Sequence, residues 1–220
     1  MFNNLLRLSE NKGSIGDRFR AQRFKQFESL LTHLPKPIRI LDVGGTESFW
    51  LNRGYDKKKE IHLVLLNLQK VDVKSKNMVS VQGDAINLSQ FKDNEFDIVF
   101  SNSVIEHLYS FENQTKMAKE CMRVGKFYYI QTPNKFFFIE PHFRLPFFNF
   151  LPKKSAQLIL TKTKFSLGKK WTEKEANETL AEIRLLSKRE YIKLFDGAQI
   201  YTERFLGFAK SFIVHNIVEK

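Results

Sequence analysis

The stretch Ile38-Arg-Ile-Leu-Asp-Val-Gly-Gly-Thr46 constrains the fold more than any other segment, because an apolar run ends abruptly in an acid, two glycines and a threonine. A buried parallel strand reads this way when it stops at a tight, ligand-facing turn. Glycine lets the backbone approach a ligand closely and take conformations that a Cβ forbids. Asp42 puts a negative charge at the strand's carboxyl end, the edge at which open α/β sheets bind their ligands. Four more short apolar runs follow. Residues 61–66 end in Asn67, and residues 78–81 run into Gln82-Gly-Asp-Ala85. Residues 96–101 lead into Asn102-Ser-Val-Ile-Glu-His107, and residues 127–130 end at Gln131-Thr-Pro-Asn134.

Helical stretches are expected between these runs, at 49–53, 89–91, 104–108 and 114–123. An amphipathic helix is expected before them, over 15–34, where Phe19, Phe24, Phe27 and Leu31 recur among basic residues until Pro35 and Pro37 end it. Strands alternating with helices imply right-handed crossovers and a parallel sheet. Residues 136–152 break the rhythm with seven phenylalanines and three prolines, which suits neither a regular strand nor a long helix. They read as a cap inserted after the fifth strand, continued by a basic helix at 155–161. A helix at 188–195 and two strands, at 200–205 and 211–215 about Gly207, finish the chain.

A chain of 220 residues fits one α/β domain with a sizeable core. The expected organisation is one domain over 1–220, with a core at about 36–134 and 186–218, a cap at about 135–185 and the N-terminal helix at 15–34. No run reaches the ~18 unbroken apolar residues of a membrane span, and the N-terminus lacks the apolar core of a secretory signal. The single Cys121 cannot form an internal disulfide, so a reducing cytoplasm is the natural compartment. The net charge of +12 is uneven: from Lys153 to Lys170 there are six lysines and no acid. Solvated faces are the plainer reading, and an anionic acceptor or membrane surface is the sharper one. No Cys/His metal spacing and no nucleic-acid-reading module appears, so no metal is expected.

The order of these motifs resembles the class I S-adenosylmethionine-dependent methyltransferases. The nearest pattern is the small bacterial branch with an "FDxVxSNxVxEH" segment after a "GDA", here Phe96–His107 after Gly83-Asp84-Ala85. The resemblance spans about 15–218 and is most specific over 38–134. It implies a Rossmann-like, seven-stranded, mostly parallel sheet with helices on both faces and an antiparallel strand near the C-terminus. It also implies S-adenosylmethionine as cofactor and S-adenosylhomocysteine as product.

By this resemblance Asp42, Gly44, Gly45 and Thr46 hold the methionine end of the cofactor. An acid beside bare backbone suits an ammonium; the plainer alternative is an ordinary turn. The family's acid-x-Gly-x-Gly-x-Gly becomes Asp42-Val-Gly-Gly-Thr-Glu-Ser48, so the second glycine has moved and the third is missing. Asn67 stands where an acid usually grips the ribose hydroxyls, with Leu68 beside it. A neutral amide should grip more weakly, and Asn67→Asp should hold or tighten affinity. Asp84 and the Ala85 backbone match the adenine site, and Ser101 and Asn102 are expected to face the methionine moiety.

His107 and His142 are the candidate bases, their ordinary pKa suiting proton transfer near neutrality. A packing role is about as natural for His107, whereas for His142 a polar ring in so apolar a segment favours function over packing among aromatics. Arg144, in the cap, is a candidate for an anionic group. Methyl transfer at a sulfonium needs mainly orientation, and a base only when a hydroxyl or amine must lose a proton. The expected activity is therefore O- or N-methylation of a small-molecule, lipid or glycan-type acceptor. Rival readings are an RNA or protein methyltransferase, and a non-catalytic cofactor-binding protein. A dinucleotide oxidoreductase falls behind for want of Gly-x-Gly-x-x-Gly at the first turn.

Overall fold

A computed structural model describes residues 15–218. The described residues divide into two compact units: residues 36–216, and residues 15–35 with Ile217 and Val218. The smaller unit contains helix α1 (Ile15–Leu31), on which Phe24, Phe27, Leu30 and Leu31 are buried. The helix stops three residues earlier than the prolines suggested, and Thr32, His33 and Leu34 form turn hydrogen bonds instead.

The larger unit is built on β1 (Ile38–Val43), β2 (Ile61–Asn67), β3 (Met78–Gln82), β4 (Phe96–Asn102) and β5 (Gly125–Pro133). A hairpin of β8 (Gln199–Phe205) and β9 (Phe208–His215) completes one seven-stranded sheet, ordered β3-β2-β1-β4-β5-β9-β8. Only β9 runs against its neighbours, pairing antiparallel with both β5 and β8. The strand order reverses between β1 and β4, whose residues pair from Ile40 with Ile98 to Val43 with Ser101. At such a switch point the chain leaves in opposite directions from neighbouring strands, and a crevice opens at their carboxyl ends. The glycine turn sits there for that reason.

Near-continuous apolar sequence in these strands reflects burial on both faces. One face packs Leu41, Val43, Val99 and Ile130 against Met117 and Cys121 of helix α3 (Phe111–Val124) and Tyr191 and Leu194 of α6 (Lys188–Leu194). Cys121 is fully buried, and burial pushes its thiol up to about 12, which makes it an inert packing residue. The other face gathers aromatics: Trp50, on the short helix α2 (Glu47–Leu51), lies 5.3 Å from the Phe100 ring and 4.8 Å from Tyr55.

Two expected helices are not α-helices. Residues 104–108 form a 3₁₀ turn over Ile105–His107, bracketed by left-handed backbone at Ser103 and Tyr109 (φ 58° and 64°), which stops an α-helix from propagating. Residues 87–91 form successive turns, with Ser89 N–H donating to Asn87 Oδ1.

After β5 the chain forms a small hairpin, β6 (Ile139–Glu140) with β7 (Leu145–Pro146), then helices α4 (Lys153–Lys162) and α5 (Glu173–Glu182). This cap has a core of its own, in which Phe143 and Phe148 meet Ala156, Leu160, Trp171 and Ala176. The seven phenylalanines therefore split. Phe137, Phe143 and Phe148 are buried, Phe138 is half-buried, and Phe136, Phe147 and Phe150 are exposed. Helix α5 was not anticipated, although Thr172-x-x-Glu175 forms a complete capping box.

The Tyr191 hydroxyl donates to the Ile130 carbonyl at 2.8 Å in the core, joining α6 to β5. Tyr191→Phe keeps the ring and removes that bond, and is expected to cost about 1 kcal/mol. Urea unfolding should show a lower midpoint at unchanged slope; an unchanged midpoint contradicts the role given to this bond.

Candidate active site

Asp42 is the most constrained residue at the carboxyl edge. It is 2% exposed, and Oδ2 accepts a hydrogen bond from Trp50 Nε1 at 2.7 Å. Burial pushes its carboxyl up to about 7, against the opposing influences of the Trp50 bond and the Arg53 charge. Gly45 lies directly over it: a Cβ there falls 1.8 Å from Asp42 Oδ2. The displaced second glycine is thus required by the carboxylate beneath it. Gly44 takes a left-handed φ of 79°, and a Cβ there falls 2.5 Å from Val104 Cγ2. Thr46 Oγ1 caps α2 by accepting from Phe49 N–H.

Asn67 has a function that its type alone did not reveal. Its Nδ2 donates to the Gly45 carbonyl at 2.9 Å, pinning the glycine turn to the end of β2. A carboxylate has no donor for that bond and places an oxygen against an oxygen. With this bond in place, Asn67→Asp is expected to disturb the turn rather than leave it intact. Beside it Leu68 stands 71% exposed, an apolar surface at the mouth of the crevice.

Asp84 is exposed, and its Oδ1 accepts from Ile86 N–H in a local turn, with Ala85 buried next to it. Ser101 is fully buried, and its hydroxyl donates to the Val43 carbonyl at 3.1 Å, so it ties β4 to β1. Asn102 is half-buried at the end of β4.

Beyond Asn102 the structure assembles a polar cluster from three parts of the chain. His107 comes from the turn after β4 and His142 from the cap, and their rings meet edge to face with centroids 4.9 Å apart. His107 Nδ1 pairs with Glu182 Oε1 at 2.9 Å, and His142 Nδ1 with Glu140 Oε1 at 2.6 Å. Burial works against charge on His142, but the Glu140 bond and the nearby Glu106 and Glu182 charges outweigh it and raise its pKa. Glu140 Oε2 also accepts from Phe143 N–H. Glu106 is fully buried: Oε2 accepts from Thr132 Oγ1 at 3.0 Å, while Oε1 has no hydrogen-bond partner among the described residues. Arg144 is exposed.

Residues 44–127 match the family model described as a methyltransferase domain. No curated protein matches the chain in sequence. Among solved structures, a Pyrococcus horikoshii protein superposes with a TM-score of 0.54 at 18% identity, covering 93% of this chain and 92% of its own. A S-adenosylmethionine-dependent methyltransferase from Methanosarcina mazei gives 0.50 at 14% identity, over 85% and 95%. A Rhodobacter sphaeroides protein provisionally assigned as an alcohol dehydrogenase gives 0.56 at 9% identity, over 87% and 88%. At such identities superposition establishes the fold, and the chemistry is chosen by the family match.

The fold is that of the class I S-adenosylmethionine-dependent methyltransferases, and the matched segment supplies its glycine turn, its Asp84 turn and the end of β4. The methyltransferase-domain match over residues 44–127, set on this fold, supports methyl transfer from S-adenosylmethionine as the activity. Among the described residues no helix is long and apolar enough to cross a membrane.

The raised Asp42 pKa has a testable sign. Unfolded, its carboxyl ionises near 3.8; folded, near 7. The stabilisation from the buried neutral acid is complete below the lower value and lost as pH rises to the upper one, a loss on the order of 4 kcal/mol. Asp42→Asn keeps an acceptor for Trp50 and removes the titration. Urea unfolding from pH 4 to pH 8 should show the parent losing stability relative to this variant; parallel profiles contradict the assignment.

Proposed function

We propose that the enzyme methylates an oxygen or nitrogen of a small-molecule, lipid or glycan-type acceptor held between the carboxyl edge of the sheet and the cap. The observation that supports this reading is the His107–His142 contact, which brings the cap to the end of β4. The cofactor supplies, when bound, a methyl group already activated by a positive sulfur.

The residues around the crevice fit that cofactor in shape and chemistry. The turn Gly44-Gly45-Thr46 offers bare backbone to its methionine end, with the Asp42 carboxyl beneath as a hydrogen-bond acceptor for the ammonium. Asn67 presents Oδ1 to a ribose hydroxyl while its Nδ2 fixes the turn. Leu68 offers an apolar face to the adenine, and the exposed Asp84 carboxylate with the Ala85 backbone accepts and donates at the adenine edge. Ser101 acts through the sheet, and Asn102 lies on the path to the acceptor.

Orientation supplies most of the acceleration in a displacement of this kind. His107 and His142 are the polar groups placed to meet an acceptor hydroxyl or amine, orient it and relieve it of its proton. An acceptor with an apolar part is favoured by the cap surface. Phe136 and Phe150 stack at 6.5 Å and remain 59% and 54% exposed, close in sequence to the lysines of α4. Monomers seldom leave such patches without a use.

Calorimetric titration with S-adenosylmethionine tests the cofactor site. Asn67→Asp should weaken binding by roughly 1–3 kcal/mol, the cost of losing a bond and facing two acceptors. Asp84→Ala should weaken it by a similar roughly 1–3 kcal/mol, and Gly44→Val should abolish it. Variants that bind like the parent place the site elsewhere. For the acceptor, His142→Ala should leave cofactor affinity unchanged and cut turnover, measured as S-adenosylhomocysteine release with cell-extract lipids and glycans as acceptors. Equal turnover contradicts the placement.

A further inference from the structure

We propose that Glu106, His107 and His142 form a binding site for a divalent transition-metal cation of the zinc type at the acceptor end of the crevice. Each residue brings one ligand atom, a carboxylate oxygen or a ring nitrogen, and the three atoms lie within 4.8 Å of one another. Two imidazoles and one carboxylate on one side of a cation, with positions left open, are a donor set suited to zinc and its first-row neighbours.

Two independent observations support the site. The first is Glu106 Oε1, a fully buried carboxylate oxygen with no hydrogen-bond partner among the described residues, although Oε2 of the same group is held by Thr132. An unpartnered buried polar oxygen is expensive, and a bound cation removes the cost. The second is the orientation of the imidazoles. Both are engaged at Nδ1 by a carboxylate, His107 by Glu182 and His142 by Glu140. A carboxylate behind Nδ1 fixes the ring and its tautomer and directs Nε2 outward as the ligand, which is how metal-binding histidines are supported. One such pair is commonplace; here two whose rings touch share with Glu106 a group of ligand atoms within 4.8 Å of one another.

A zinc ion about 2.0–2.1 Å from each donor keeps the donors about 3.3 Å apart, so binding draws the widest-spaced of them together by up to roughly 1.5 Å. His142 belongs to the cap, and binding would therefore clamp the cap to the end of β4. At this position the cation can hold an acceptor hydroxyl or carboxylate through an oxygen and acidify a bound hydroxyl. On this view the two rings act on the acceptor through the cation, a use that rests on the methyl-transfer reading above. The binding site itself does not rest on it.

The test uses the full chain, freed of metal by chelator and titrated with Co²⁺ alone, then with Zn²⁺. One Co²⁺ per chain should bind and produce visible absorption bands that Zn²⁺ abolishes, with a rise in melting temperature for either ion. His142→Ala and Glu106→Gln should each weaken Co²⁺ binding at least tenfold. Glu140→Gln should weaken it about 10–100-fold, as expected of a supporting carboxylate. The exposed His62→Ala should leave it unchanged. His142→Ala alters the cap and not the core, so it remains informative if Glu106→Gln fails to fold. Absence of Co²⁺ and Zn²⁺ binding at millimolar concentration, or binding indifferent to both His142→Ala and Glu106→Gln, overturns the proposal. A protein that binds S-adenosylmethionine but neither cation loses this inference alone; one that binds cation but not S-adenosylmethionine loses the functional reading alone.

Discussion

The active edge is organised by a carboxylic acid buried at the end of the central strand. Asp42 lies beneath the turn that follows it, held by the Trp50 indole and covered by Gly45. Removing a carboxyl from water is costly, and the chain meets the cost with one strong donor and with an acid that stays neutral until about pH 7. That arrangement dictates the residues around it. Position 45 has no room for a side chain, position 44 must be left-handed, and Trp50 must come from a helix that starts at once. The Gly45 carbonyl is then taken by Asn67, which couples the ends of β1 and β2.

A second constraint operates on the far side of β4. The turn bearing Glu106 and His107 is tied to the segment after α5, where Arg184 N–H donates to the Glu106 carbonyl and Gln114 Nε2 bridges the Ile105 and Arg184 carbonyls. Glu182 is therefore delivered to His107 by the backbone that closes the cap, and Glu140 and His142 arrive from the cap's own hairpin. The cap's small aromatic core around Phe143, Phe148 and Trp171 makes it a rigid support for these groups.

The parallel strands were legible because burial on both faces leaves uninterrupted apolar runs, and the crevice because each run ends in polar turn residues. The antiparallel hairpin was equally plain around Gly207. Residues 104–108 misled because their composition permits a helix that the left-handed Ser103 and Tyr109 exclude. The role of Asn67 was hidden, since nothing in an asparagine shows that its partner is a carbonyl twenty-two positions away. The Glu106, His107, Glu140, His142 and Glu182 cluster had no readable spacing, for tertiary structure alone brings those positions together. The phenylalanine-rich segment showed its composition but not its division into a buried set and an exposed set, which depends on the packing of α4 and α5.

The central claim is that the transferred methyl lies at the histidine pair. Nuclear Overhauser spectroscopy with S-adenosylmethionine carrying a ¹³C-labelled methyl group addresses it most directly. The account predicts cross-peaks from the methyl protons to the imidazole protons of His107 or His142, lost in the corresponding alanine variants. Cross-peaks from the methyl to Leu68 and the Asp84 turn, with none to either histidine, would contradict it by placing the cofactor the other way round in the crevice.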